Sequence, residues 1–250
     1  MSRSGDPRPT EFVVGGRRAV GEAIRAGRAR RVLIIDRSRG SEGLRALLRE
    51  AEVAGVPLFR VEGPKLDALG VRDHQGVAAF VRPPRELDER ALGMLPLEPD
   101  ALVVVLDGIM DPQNFGACGR SAEAAAASVL ITRERRSAPL TPAAVRASAG
   151  ALLHLPVARV ANLTRAIERL KERGVSVIGL DHRAEATIHD GSPPPRPLAL
   201  VVGAEDVGLS RLVRESCDLL VSIPMPGRTA SLNASAALSV ALFGYALRPG

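Results

Sequence analysis

The sequence predicts an α/β protein in two parts, a small α/β unit followed by a larger one built on a mostly parallel sheet. Three observations lead there. Short apolar runs rich in β-branched residues alternate with stretches of helical periodicity, the pattern of strand–helix units. The runs after residue 100 lack polar alternation, so those strands are expected to be covered on both faces, as in parallel sheets. Between the two groups, Arg82 to Pro99 carries Pro83, Pro84, Pro96 and Pro99 among charged residues, which favours an extended connection.

Residues 1–11 are polar and Pro-containing and are expected to be a disordered tail. Residues 12–82 form the first unit. Gly16 to Ala26 reads as a short helix and Val32 to Ile35 as a strand. Ser41 to Ala54 is an amphipathic helix stopped at Gly55. Val56 to Val61 is a second strand, Lys65 to Leu69 a helical turn and Val77 to Val81 a third strand. Residues 83–99 are the linker, with room for a helical turn or two between Glu86 and Met94. In residues 100–250, Ala101 to Leu106 is a buried strand, Asn114 to Ala127 a helix and Val129 to Thr132 a strand. A basic loop, Arg133 to Ser137, precedes a helical stretch from Pro142. Leu163 to Glu172 is a helix closed by Gly174. Val175 to Leu180 and Leu198 to Val202 are strands, Ser210 to Ser216 is helical, Leu219 to Ile223 is a strand, and Ser231 to Leu247 is a long final helix. A fragment beginning near Asp100 is therefore expected to fold alone.

Composition narrows the function classes. No apolar run reaches the roughly 18 residues of a membrane span. The two cysteines, Cys118 and Cys217, stand alone and the four histidines are scattered. That speaks against a structural metal and fits a reducing cytoplasm. The net charge of +6 raises the expectation of a polyanionic partner. Most cations are arginines, suited to bidentate phosphate contacts. Aromatics are only 2% of the chain, which disfavours base-stacking platforms and leaves phosphate, 2′-hydroxyl and shape recognition of RNA.

Three segments carry candidate chemistry, each with a plainer alternative. Gly203-Ala-Glu-Asp-Val-Gly208 follows an apolar strand, where open α/β sheets bind ligands. Leu209 stands where a P-loop needs Lys, and Glu205 where the dinucleotide fingerprint needs its middle glycine. A carboxylate there suits a hydroxyl or a cation; the alternative is a tight turn with a solvated Glu. Ile223-Pro-Met-Pro-Gly227 also follows a strand, and Ser231-Leu-Asn-Ala-Ser235 opens the last helix. Its prolines stiffen a loop whose carbonyls can accept bonds from an adenine amino group. The alternative is a Pro-rich turn with Ser231 or Asn233 as an ordinary cap. Leu106 through Arg120 runs from strand into helix, with Gly116 and Gly119 implying a close neighbour, ligand or backbone. Arg120 pairing with Glu123, and Asn114 capping the helix, are the plainer readings.

In this order, the three segments resemble the SpoU/TrmH 2′-O-methyltransferases of the SPOUT superfamily across about Asp100 to Tyr245. Arg146-Ala-Ser-Ala-Gly-Ala151 looks like the family's segment between its first and second motifs. Gly15-Gly-Arg-Arg-Ala-Val20 and His74-Gln-Gly-Val77 resemble the small L30e-like RNA substrate-binding domain of the ribosomal RNA branch. Departures are Asp206, Ala230 and Ala234, where Gly, Ser and Val are common; they bear on loop geometry rather than on the matched polar positions.

The resemblance implies a catalytic domain with a deep trefoil knot, a homodimer, S-adenosylmethionine as methyl donor and RNA as acceptor, with a guanosine of 23S ribosomal RNA favoured. It places the donor at Gly203, Ile223, Met225 and Leu232, largely on backbone, and catalytic work at Asn114, Arg120, Glu205, Ser231 and Asn233. Leu232, Ala236, Ala237, Val240, Ala241 and Tyr245 supply an apolar helix surface for the dimer. A tRNA, or an antibiotic-resistance site in ribosomal RNA, is the alternative acceptor. A non-catalytic ribosomal-RNA-binding protein would not need Asn114, Arg120 and the donor loops together.

Overall fold

The computed structural model describes residues 10–35, 42–71, 73–229 and 231–247. Residues 1–9 of the expected tail lie outside them, as do Ser41 and Ala230, while Glu11 at its end pairs with Arg31 at 3.2 Å. The chain divides into two units, Met1–Pro84 and Arg85–Gly250.

In the first unit, β1 (Phe12–Gly15), α1 (Arg17–Arg25), β2 (Ala29–Ile35), α2 (Glu42–Val53), β3 (Leu58–Val61), α3 (Gly63–Asp67) and β4 (Val77–Val81) follow one another. The sheet order is β1-β4-β2-β3, with only β2 and β3 parallel. β1 was not expected, because four residues ending at a Gly-Gly pair show no alternation. It forms because β4 offers it a full antiparallel register, Phe12 against Val81 through Gly15 against Ala78. The two sequence marks of this unit meet. A Cβ on Gly15 would lie 2.2 Å from Val71 and 3.1 Å from His74, so only glycine fits. His74 accepts a bond from the Gly76 N–H at 3.0 Å and contacts Asp67 at 2.9 Å through Nε2.

The second unit contains β5 (Glu86–Leu87), α4 (Glu89–Met94), β6 (Leu102–Asp107), α5 (Pro112–Ala124), β7 (Val129–Arg133), α6 (Pro142–Ala147), a 3-10 turn at Ala151–Leu153, β8 (Val157–Val160), α7 (Leu163–Glu172), β9 (Ser176–Leu180), β10 (Leu198–Gly203), α8 (Arg211–Ser216), β11 (Leu219–Val221) and α9 (Ala234–Ala241), which ends in a π turn at Leu242–Ala246. The seven strands are ordered β11-β9-β10-β6-β7-β8-β5 and every pair is parallel. Both faces are covered, as the unbroken apolar runs required. Val103 and Val105 pack with Ile167, Leu170 and Val213, while Leu102, Val104 and Leu106 on the alternate face are fully buried too.

Three expectations need correction. Residues 83–99 are more than a linker: β5 pairs with β8, α4 is capped by Asp88, and Leu92 is buried in the main core with Leu87, Leu95 and Leu97 against it. Apolar residues between the prolines dock where charge and Pro content suggested none would. The second compact unit thus begins at Arg85 rather than near Asp100. β8 was missed, since its short run after Pro156 cannot be told from the end of a helical stretch by periodicity. α5 starts at Pro112 with Asp111 as its cap, Asp111 Oδ2 accepting from the Asn114 N–H at 2.9 Å. Asp followed by Pro is a helix-start signature.

Candidate functional site

In an all-parallel sheet the C-terminal strand ends share one edge, and there the second and third motifs gather. The chain runs β6, β7, β8 outward, returns to β9, steps inward to β10 beside β6, and then crosses β9 to reach β11. This reversal is where open α/β sheets form ligand crevices. A cleft opens over the ends of β9, β10 and β11. Its lining includes Gly203, Glu205, Ile223, Met225, Ser231 and Leu232, so the second and third motifs meet in one place. Asp181 and His182, which the sequence reading had not singled out, join them from the end of β9.

The Gly203–Gly208 loop is folded tightly on itself. A Cβ on Gly203 would sit 2.1 Å from the Gly208 carbonyl and 2.4 Å from the Leu209 nitrogen. The Gly208 N–H donates to the Ala204 carbonyl at 2.8 Å, and Gly208 adopts φ +69. The turn leaves Glu205 exposed at its tip. Across the cleft, Pro224 and Pro226 lack amide hydrogens. Among the described residues the backbone of 223–229, 231 and 232 makes no hydrogen bond. Unbonded donors and acceptors beside an apolar floor are what an adenosine group requires.

Charge at the cleft selects its occupant. Among the described residues its lining contains no Lys or Arg; it contains Asp181, whose charge Arg183 and Arg214 offset, and Glu205, which has no such partner and suits a cationic sulfonium better than a pyrophosphate. Asp181 is 4% exposed. Burial alone would push its pKa up, but bonds from the Arg183 side chain and backbone, with Arg214 nearby, hold it below the usual carboxylate range. Arg214 Nε lies 2.8 Å from Asp181 Oδ2, within ion-pair distance though outside hydrogen-bond geometry. Asp181 is therefore ionised at neutral pH.

Asn114, Arg120 and Asn233 do not line this cleft. Asn233 is the cap of α9: its Oδ1 accepts from the Ala236 N–H at 2.8 Å and from Ser235 Oγ at 3.1 Å. Ser231 precedes the helix and makes no hydrogen bond among the described residues. Asn114 is half-buried in the first turn of α5, its side chain unbonded among the described residues. Arg120 is exposed further along α5 and, among the described residues, forms no ion pair with Glu123 or any other group. The glycines between them are explained by packing rather than by a ligand. A Cβ on Gly116 would lie 2.6 Å from the Ala144 carbonyl of α6, and one on Gly119 would lie 2.5 Å from the Leu152 side chain. α5 also packs on α9, where Ser121 and Ser239 are hydrogen-bonded at 2.7 Å.

Among the described residues no helix is long and apolar enough to cross a membrane, and no group of three or more His, Cys, Asp or Glu is placed to hold a metal ion.

Comparison with known proteins gives the family. The model of the SpoU rRNA Methylase family matches residues 101–243, and that of RNA 2′-O ribose methyltransferase substrate binding matches residues 13–87. An uncharacterized tRNA/rRNA methyltransferase of Mycobacterium avium is 43% identical over 242 residues, spanning 93% of this chain and 76% of that protein. The 23S rRNA (guanosine-2′-O-)-methyltransferase RlmB of Pseudomonas putida is 40% identical over 211 residues, 84% of this chain and 85% of its own length. The crystal structure of the SpoU methyltransferase AviRb from Streptomyces viridochromogenes, in complex with the cofactor AdoMet, superposes with a TM-score of 0.76 at 30% identity, covering 97% of this chain and 92% of that one.

Proposed function

The chain belongs to the SpoU rRNA methylase family and is an S-adenosylmethionine-dependent RNA 2′-O-methyltransferase, and on that premise we propose that its acceptor is a guanosine ribose in 23S ribosomal RNA. The observation that carries the site assignment is the meeting of two motif loops in one acidic, partly apolar cleft at the sheet edge. Gly203, Ile223, Met225 and Leu232 hold the donor through backbone groups and apolar contact. Glu205 and Ser231 face its polar end, and Asn233 fixes the start of α9 beneath it. The bound donor supplies an electrophilic methyl group for in-line displacement by the ribose 2′-oxygen.

Asn114 and Arg120 serve the acceptor. Their side chains have no protein partner among the described residues. Arg120 carries a guanidinium, whose planar fork of donors suits an anion better than proton removal. It binds the neighbouring phosphate and stabilises the developing alkoxide, while phosphate or water takes the proton. Asn114 orients the ribose. The first unit binds the ribosomal RNA, consistent with the match over residues 13–87.

We further propose a homodimer working in the cytoplasm, with the segment after β10 threaded as a trefoil knot. The crossing from β10 over β9 to β11 supports the threading. Ala241 and Tyr245 belong to the monomer core instead of the dimer surface, but Val240 and Phe243 are 38% and 52% exposed on the same helical segment and supply the apolar face. Sedimentation showing only monomer at micromolar concentration contradicts this.

The acceptor is tested by offering undermethylated 23S RNA and tRNA separately with labelled donor. The expected result is 2′-O-methylguanosine in 23S RNA alone. Label confined to tRNA overturns the acceptor while leaving the chemistry intact.

A further inference from the structure

We propose that Asp107 is a positioning residue for methyl transfer, holding the Gly203–Gly208 loop to the sheet edge through Arg133 and Ser210. The proposal rests on the assignment of that loop to the donor.

Asp107 is the last residue of β6 and is 4% exposed. A buried carboxylate persists only with good partners, and Asp107 has two. Arg133 Nη2 lies 2.7 Å from its Oδ1, and the Ser210 N–H donates to its Oδ2 at 2.7 Å. The same Nη2 donates to Ser210 Oγ at 2.9 Å, closing a three-membered ring. Arg133 is the last residue of β7, and Ser210 stands two residues after Gly208 at the start of α8. The Ser210 side chain does not cap its own helix; its hydroxyl faces Arg133 instead. The ring therefore joins the ends of two strands to the exit of the loop.

Apart from Leu209, buried in the core at its exit, the loop has little else to hold it. Glu205, Asp206 and Val207 are exposed, and the Gly208-to-Ala204 bond is internal. Asp107 is also the direct register partner of Gly203 across the β6–β10 pair. It opens the segment that leads to Asn114 and Arg120. One residue thus ties the root of the acceptor segment to both ends of the donor loop, its backbone pairing with Gly203 and its carboxylate holding Ser210. Arg133 Nε is buried without a hydrogen-bond partner among the described residues, so the ring is held by Nη2 alone. A single ammonium can replace that one nitrogen, and Arg133→Lys is expected to preserve the device where Arg133→Met destroys it.

The test is calorimetric titration of the full chain with S-adenosylmethionine, beside steady-state kinetics and melting without donor. Asp107→Asn keeps the shape but leaves one of the two contacts unmade. Asp107→Asn and Arg133→Met are each expected to weaken donor binding and raise its KM about tenfold. Their double variant should be no worse than either, because both break one ring. Arg133→Lys should bind donor nearly as the wild type does. Ser210→Ala, which removes only the hydroxyl link, should weaken binding by about threefold and serves if Asp107→Asn does not fold. Gly203→Ala tests the loop assignment itself. Lower melting temperature with unchanged donor affinity in the Asp107 and Arg133 variants, while Gly203→Ala loses donor, makes the ring merely structural and overturns the proposal. Full donor binding by Gly203→Ala overturns the loop assignment instead.

Discussion

Arg120→Ala is expected to lower methyl transfer by about 10²–10³-fold, the usual loss for one preorganised transition-state contact, with donor affinity unchanged. Two observations give that size and selectivity. Arg120 lies outside the cleft that is assigned to the donor, so its removal leaves the cradle intact. It is exposed and, among the described residues, unpaired, so no ion pair is lost with it. Stability should change by well under about 1 kcal/mol, since alanine is the better helix former. Arg120→Lys keeps charge without the planar fork and should retain weak activity. Single-turnover transfer, run beside calorimetric donor titration, separates the effects. A wild-type rate in Arg120→Ala ends its assignment to the chemistry.

Gly203→Ala is expected to act through the opposite partition, abolishing donor binding and lowering stability. The added methyl would meet the Gly208 carbonyl at 2.1 Å, and that atom belongs to backbone, which cannot rotate away. The loop must open, carrying Glu205 and Leu209 with it. Overpacking of this kind costs about 3 kcal/mol, a fall of roughly 6–12 °C in melting temperature for a chain of this size. Gly208→Ala makes an instructive comparison. Nothing lies within 4 Å of its Cβ position, so only the strain of φ +69 acts and a smaller loss, about 1 kcal/mol, is expected. Thermal melting with and without donor reads both. Equal melting temperatures for Gly203→Ala and wild type contradict the tight-turn geometry.

How much the sequence reveals depends on whether a signal is local. The strand at Val77–Val81 and the apolar runs of β6 and β10 are legible because burial on both faces leaves no polar residue to interrupt them. The Gly203–Gly208 loop is legible because it follows such a strand. The last helix is only partly so. Its apolar run reaches Leu247, but the side chain of Asn233 fixes the start at Ala234 and the final turn widens to a π turn around Gly244. Asp181 is a lone acid after a strand, with no motif to flag it. The Asp107 ring joins residues 26 and 77 positions apart, through strand ends that only the sheet order brings together. Arg120 shows the converse. Resemblance to the family's first motif singles it out in the sequence, although nothing in its surroundings distinguishes it from a solvated surface arginine.

Alkaline hydrolysis of labelled product tests the central claim most directly. Strand cleavage by alkali requires a free 2′-hydroxyl, so a methylated ribose protects its own linkage. With methyl-labelled S-adenosylmethionine and undermethylated ribosomal RNA, label is expected in alkali-resistant dinucleotides, and absent there for Arg120→Ala and Gly203→Ala. Label recovered in mononucleotides would place the methyl group on a base and contradict ribose 2′-O-transfer at this cleft.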